Sequence, residues 1–199
     1  MKVYPSYIRK ILEHFKKLPG VGSRTAERYA LNLLSWNKSE RVQFLKDLEN
    51  FHQSSALCPT CGFLVDNNIC LFCDRPHRIQ EKLCVVSHIK DVISIENTHE
   101  YKGLYHILGG HISPLEGMYA ENLRITTLLQ RIKKGSLQEI ILALDSTFEG
   151  DATANYIREQ LESHSVVVSR LAFGIPMGSA LEYLDTHTIS QSFCGRKQF

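Results

Sequence analysis

The stretch LALDSTFEGDATANYI (residues 142–157) reads as the end of an apolar strand, an acidic loop and the start of a helix. The run that feeds it, EIILAL (139–144), is short and rich in branched side chains, as a buried strand requires. LCVVS (83–87), LYHIL (104–108) and SVVVSRL (165–171) have the same character. Helical patterns over 89–97, 121–134 and 150–162 lie between these runs. Strands alternating with helices predict an α/β segment over about residues 80–199, with a mostly parallel sheet covered by helices. Cys84 falls inside one strand and is expected to act as a small apolar residue. Gly109-Gly110 follows another strand but lacks the spacing of a dinucleotide fingerprint, so a tight turn is expected there.

Immediately upstream, Cys58, Cys61, Cys70 and Cys73 fall within sixteen residues (56–76 being loop-like) in a doubled C-x2-C pattern. Each C-x2-C turn presents two thiolates to one ion, and two such knuckles complete a tetrahedron. Four thiolates leave no open position, so the spacing predicts a structural Zn²⁺ site, one per chain, that staples the helical segment to the α/β segment. His77 stands close enough in sequence to be a substitute ligand.

Further toward the N-terminus, residues 5–52 have helical periodicity. Ile8, Ile11, Leu12 and Phe15 form one apolar stripe, and LPGVG (18–22) breaks it. Ala26, Tyr29, Ala30, Leu33 and Leu34 form a second stripe behind a cap expected at Ser23, and Phe44, Leu45, Leu48 and Phe51 a third behind Ser39. Helix, Gly-x-Gly turn, helix is the helix-hairpin-helix pattern. Gly20 and Gly22 would let backbone amides approach a phosphate, and the next helix start adds its open N–H groups. Arg24 and Arg28, one turn apart, add positive charge to that face, giving affinity for DNA backbone without sequence choice.

Composition sets outer limits. The 199 residues are 43% apolar and 22% charged, which excludes wholesale disorder. No apolar run reaches the roughly 18 residues of a membrane span. The first residues alternate apolar with charged positions and have no signal-peptide pattern, so a cytoplasmic, nucleoid-associated protein without membrane contact is expected. The net charge of +2 divides into +5 over residues 1–52 and −3 over the remainder. A basic segment on a nearly neutral chain fits a localised polyanion-binding face. His88, His106 and His111 sit near strand ends, but no G-x-S-x-G elbow is present, so structural or surface histidines are expected.

These pieces occur in an order that carries a resemblance. Strand, acidic loop, Glu-Gly-acid and helix at 142–157 resemble the Toprim domain of type IA topoisomerases and primases. Together with LPGVGSRTAERYALNLL (18–34), CPTCG (58–62), ICLFCDRP (69–76), EYKGLYHILGGHISPLEG (100–117), TFEGDATA (147–154), GIPMGSALEYLD (174–185) and the terminal CGRKQF, the chain resembles the RecR family of bacterial recombination mediators along essentially its full length. The resemblance implies four segments: a helix-hairpin-helix DNA-binding part (1–54), a C4 zinc finger (55–77), a Toprim domain (78–176) and a C-terminal tail (177–199).

A catalytic Toprim needs a Glu after its first strand and an Asp-x-Asp after a later one to hold Mg²⁺. Ser87 stands at the Glu position and Thr147 at the second Asp, so only Asp145 remains of three. The resemblance therefore implies no catalytic residues, and it disfavours a Mg²⁺-dependent nuclease, primase or topoisomerase fragment. Asp145, Glu149 and Asp151 would instead engage partner proteins. The implied partners are DNA (double-stranded and gapped or single-stranded junctions), RecO and, in many bacteria, RecF, with a functional link to RecA and single-strand binding protein (SSB). A ring-like homotetramer is implied, with contacts from the N-terminal helices and the tail. A third class, a zinc-bearing scaffold that binds only proteins, would show no salt-dependent DNA affinity. Family members commonly have an acidic residue where Ala180 stands, and often an Asn where Asp145 stands or an acid where Ser87 stands.

Overall fold

The computed structural model describes residues 4–54, 56–172, 174–176 and 178–196. Met177 of GIPMG and Lys197-Gln198-Phe199 of the terminal motif lie outside the described residues. The chain divides into two compact units, residues 1–55 and 56–199.

In the first unit, α1 (Ser6–Phe15), α2 (Ser23–Ser35) and α3 (Lys38–Ser54) follow one another. α1 and α2 pack together around Ile8, Leu12, Ala26 and Ala30. The two alanines let the helices approach closely, and Phe15 meets Tyr29 edge-on with ring centroids 5.9 Å apart. Two expected caps are corrected. α2 is entered through Gly22, whose extended backbone (φ −81°, ψ 177°) puts Ser23 already inside the helix, and no side chain caps it. α3 starts at Lys38 behind Asn37, which forms a reciprocal pair with Glu40: Asn37 Oδ1 accepts from the Glu40 amide, and Glu40 Oε2 accepts from the Asn37 amide, both at 2.9 Å. Ser39 is thus two residues too late. Of the third stripe on α3, Leu45, Leu48 and Phe51 are exposed and Phe44 is half-buried.

The second unit opens with a three-stranded antiparallel ribbon, β1 (Ala56–Leu57), β2 (Leu64–Asp66) and β3 (Ile69–Cys70). Asn67 and Asn68, both at positive φ, make the two-residue turn between β2 and β3. β4 (Ile79–Val86), α4 (Ile89–Glu96), β5 (Gly103–Ile107), α5 (Ile125–Lys133), β6 (Glu139–Ala143), α6 (Phe148–Leu161) and β7 (Val167–Arg170) follow, and α7 (Thr186–Cys194) ends the described chain. The sheet is parallel throughout, in the order β5-β4-β6-β7.

Successive residues on a strand face opposite ways, and β4 shows what each face meets. Leu83 and Val85 join Leu128, Ile132, Ile157 and Leu161 of α5 and α6. Cys84 and Val86 join Val92 of α4 and, from the ribbon, Cys58, Cys61, Phe63, Cys70 and Phe72. The cysteine module therefore covers part of one sheet face where a helix would otherwise lie. Too short to build a core alone, it shares the sheet's. Phe72 links the two, edge-on to Phe63 at 4.7 Å and to Tyr105 at 4.9 Å.

Candidate metal centre, nucleic-acid face and acidic crevice

The two knuckles bring Cys58, Cys61, Cys70 and Cys73 together, with their sulfurs all within 4.8 Å of one another. The first three are buried and Cys73 is half-buried. Backbone amides turn inward onto the sulfurs: Phe63 N–H donates to Cys61 Sγ at 3.4 Å, and Cys73 N–H to Cys70 Sγ at 3.5 Å. Asp74 braces the second knuckle by accepting the Cys70 amide at 2.7 Å. Without a cation, Cys61 and Cys70 resist ionisation. The neighbouring Cys73 sulfur and burial push the Cys61 thiol far up, and burial raises Cys70 to about 11. Cys58 is also buried, yet amides from Cys61 and Thr60 hold it below the usual thiol value. A bound dication reverses this balance by stabilising all four thiolates at once. The donor set fits a closed, tetrahedral metal site, and His77 stays outside it.

One clamp on this module was not visible in the spacing. Arg124, at the start of α5, donates from Nη2 to the Pro59 carbonyl at 2.5 Å and the Cys58 carbonyl at 3.4 Å. Its chain lies against Gly62, where a Cβ would come within 2.9 Å of Arg124 Nε. A second clamp is Arg78, which stacks on Phe72 (4.6 Å), donates to the Gly103 carbonyl (2.8 Å) and pairs with Glu96 (2.5 Å). Tyr105 Oη donates to the other Glu96 oxygen at 2.7 Å. Although partial burial opposes it, Arg78 and Tyr105 together hold the Glu96 carboxyl below its usual range.

The hairpin turn is open and glycine-dependent. Gly20 has φ +76°, a conformation other residues rarely adopt, while Gly22 is extended. A Cβ at either position would meet nothing within 4 Å, so the backbone there is open to solvent. α2 has neither a side-chain cap nor an acidic residue in its first turn. α4 and α6, by contrast, place Asp91, Glu149 and Asp151 in theirs. An anion arriving at α2 meets open N–H groups and the positive end of the helix, with no competing carboxylate there. Arg24 and Arg28 are exposed on that helix, and among the described residues neither has an acidic partner.

At the C-terminal edge of the sheet, a crevice of about 390 Å³ is lined by His88, His111, Glu116, Asp145, Thr147 and Glu149, among others. Ser87 is fully buried beside it, its Oγ 2.6 Å from His111 Nε2, and the same nitrogen lies 3.9 Å from Asp145 Oδ2. Thr147 caps α6, accepting the Gly150 amide at 3.1 Å. Gly150 packs so closely on the preceding loop that a Cβ would fall 2.0 Å from the Asp145 carbonyl oxygen, which accounts for glycine there. Asp151 is tied to Arg170 of β7 at 2.5 Å, Asp145 is exposed and Glu149 half-buried. The Ser87–His111 pair escaped sequence reasoning because 24 residues separate its members. Among the histidines, His106 is fully buried. Its Nε2 donates to the Arg124 carbonyl at 2.9 Å, and burial drives its pKa down to about 4.

Comparison with known proteins matches the hairpin, the α/β sheet and the C-terminal segment in order. A family model described as RecR, helix-hairpin-helix covers residues 8–52, one described as Toprim domain covers 81–172, and one described as RecR, C-terminal covers 174–197. The fold and these matches define a helix-hairpin-helix protein with a Toprim domain. One curated relative, Recombination protein RecR of Protochlamydia amoebophila (strain UWE25), is 43% identical over 196 residues, spanning 98% of this chain and 99% of the relative. The chain belongs to the RecR family.

Proposed function

We propose that this protein is a non-enzymatic DNA-binding mediator of recombinational repair. It acts with RecO, and with RecF where present, to help RecA load on SSB-coated single-stranded DNA. The observation that carries the reading is the hairpin: an open Gly-x-Gly turn, an uncapped α2 without first-turn acids, and exposed Arg24 and Arg28. Gly20 and Gly22 bring backbone amides to a phosphate, and the two arginines add charge. The relative's name, Recombination protein RecR, supports a place in recombination.

The four thiolates hold Zn²⁺, whose role is to fix the module's fold. Asp145, Glu149 and Asp151 meet partner proteins. Segments 1–54, 55–77, 78–176 and 177–199 serve as DNA-binding part, zinc finger, Toprim domain and tail. Exposed Val42, Leu45 and Leu48 on α3 support self-association into a ring-like tetramer, in which many weak phosphate contacts add. No helix among the described residues is long and apolar enough to cross a membrane, which is compatible with a cytoplasmic, nucleoid-associated protein. Against a Mg²⁺ enzyme, Ser87 is engaged by His111 and Thr147 serves as a helix cap.

The test is binding to gapped DNA across a salt series, with and without RecO, followed by plasmid nicking in Mg²⁺. Arg24→Ala with Arg28→Ala should weaken binding and reduce the salt slope by about two, one for each arginine taken away from a phosphate. An unchanged slope rejects the hairpin as the part that touches DNA, and cleavage rejects the non-enzymatic reading.

A further inference from the structure

The four sulfurs of the metal site are not equivalent. Cys58, Cys61 and Cys70 are buried and each accepts backbone N–H groups: Cys58 from Thr60 and Cys61, Cys61 from Phe63, Cys70 from Phe72 and Cys73. Cys73 is half-buried, and among the described residues no backbone N–H donates to its Sγ. Hydrogen bonds to a thiolate withdraw the electron density that makes it nucleophilic, and burial blocks approach. Three thiolates of the cluster are quenched in both ways, and Cys73 is the least covered of the four. Cys73 also lines an open cavity of about 360 Å³ with Thr60, Asp74, Gln80, Arg131 and Lys134 among its walls. That space admits a small reagent, and Arg131 and Lys134 bring two positive charges to it.

We infer that Cys73 is an oxidative modification site, the point at which a peroxide enters the metal centre and opens it. The Cys73 sulfur attacks one peroxide oxygen. An S–O bond forms, the O–O bond breaks and hydroxide leaves beside Arg131 and Lys134. Sulfur is oxidised by two electrons and the peroxide reduced. Cys58 Sγ, 3.9 Å from Cys73 Sγ, then displaces hydroxide from the sulfenic acid and forms a disulfide. Two of the four ligands are thereby removed, and the metal is released. Reduction of the disulfide by a thiol restores both ligands. The inference rests on the zinc reading above.

The experiment uses the full chain carrying Cys194→Ser, which removes an exposed thiol unconnected with the cluster. Metal content is measured first. Hydrogen peroxide is then added, zinc release is followed with a chromogenic chelator, and sulfenic acid is trapped and located by peptide mass spectrometry. The expected result is trapping at Cys73 ahead of the other three, followed by a Cys58–Cys73 disulfide and release of one zinc per chain. Cys73→His keeps a metal-binding side chain without the thiol, and should slow peroxide-driven release by on the order of tenfold. Zinc present but first oxidised at Cys58, Cys61 or Cys70, or retained while cysteines oxidise, overturns this inference and leaves the zinc reading intact. Absence of metal from the purified chain overturns both.

Discussion

The two units spend their apolar residues differently. The sheet of the α/β unit is covered on both faces, by α5 and α6 on one and by α4 with the cysteine module on the other. The helical unit buries Ile8, Leu12 and two alanines, and leaves Leu31, Leu34, Val42, Leu45 and Leu48 exposed. Both units have regular apolar patterns in sequence. The difference teaches that periodicity identifies which face is apolar but not what covers it. The α/β unit carries its covering within itself, partly as the four-cysteine loop. The helical unit has less to hold it, and its open faces and basic residues are available for contact.

The most severe way to break this contrast is to remove the metal. Chelation, or Cys58→Ser, should cost the α/β unit metal-linked folding energy with an upper limit on the order of 10 kcal/mol. Melts followed by circular dichroism should show the α/β transition falling well below its metal-loaded position. Stability that ignores the chelator would remove the metal from the account of that core. A smaller break comes from Gly150→Ala, which forces a Cβ against the Asp145 carbonyl. It should cost about 3 kcal/mol by urea unfolding, whereas alanine at exposed, extended Gly22 should change stability by less than about 1 kcal/mol.

Acid should act on the same unit. His106 is depressed to about 4 in the fold by burial, below its ordinary 6.5, so the unfolded chain takes up the proton first. Its contribution is complete above pH 6.5, declines as pH falls toward 4, and amounts to about 3 kcal/mol in total. The depressed Glu96 carboxyl adds a further loss in the carboxylate range, because its stabilisation is present above the unfolded value and fades below it. Urea midpoints between pH 7 and 4 check this, and His106→Asn should flatten the upper part of the curve. The mildest change is Leu45→Ser with Leu48→Ser on α3. It should alter stability by no more than about 0.5 kcal/mol. Sedimentation should nonetheless show smaller species, because the change falls on the face proposed for self-association.

The sheet was legible because buried parallel strands are written as unbroken branched runs, and EIILAL and LCVVS are both of that kind. The four-cysteine cluster was legible because C-x2-C spacing is local. Its seat was not. Phe63 and Phe72 look like ordinary loop aromatics until they meet Tyr105, and Arg124 stands 66 residues beyond the Cys58 carbonyl to which it donates. The crevice was half legible: the missing acids at Ser87 and Thr147 could be read directly, but not the pairing of Ser87 with His111. Helix starts misled where serine is a common cap but a neighbour had the required backbone, Gly22 for α2 and Asn37 with Glu40 for α3. Composition suggests candidates for a cap, whereas tertiary geometry chooses among them.

The Arg124 clamp has a consequence for synthesis. A ribosome adds Cys73 51 residues before Arg124, and the strand bearing Tyr105 also comes later. At ordinary rates of elongation that interval lasts about 3 to 10 s. During it the knuckles have four sulfurs but neither their arginine nor the sheet beneath them. A metal ion captured then would cross-link the nascent module, and the α/β layer would fold afterwards onto a piece that already has its shape.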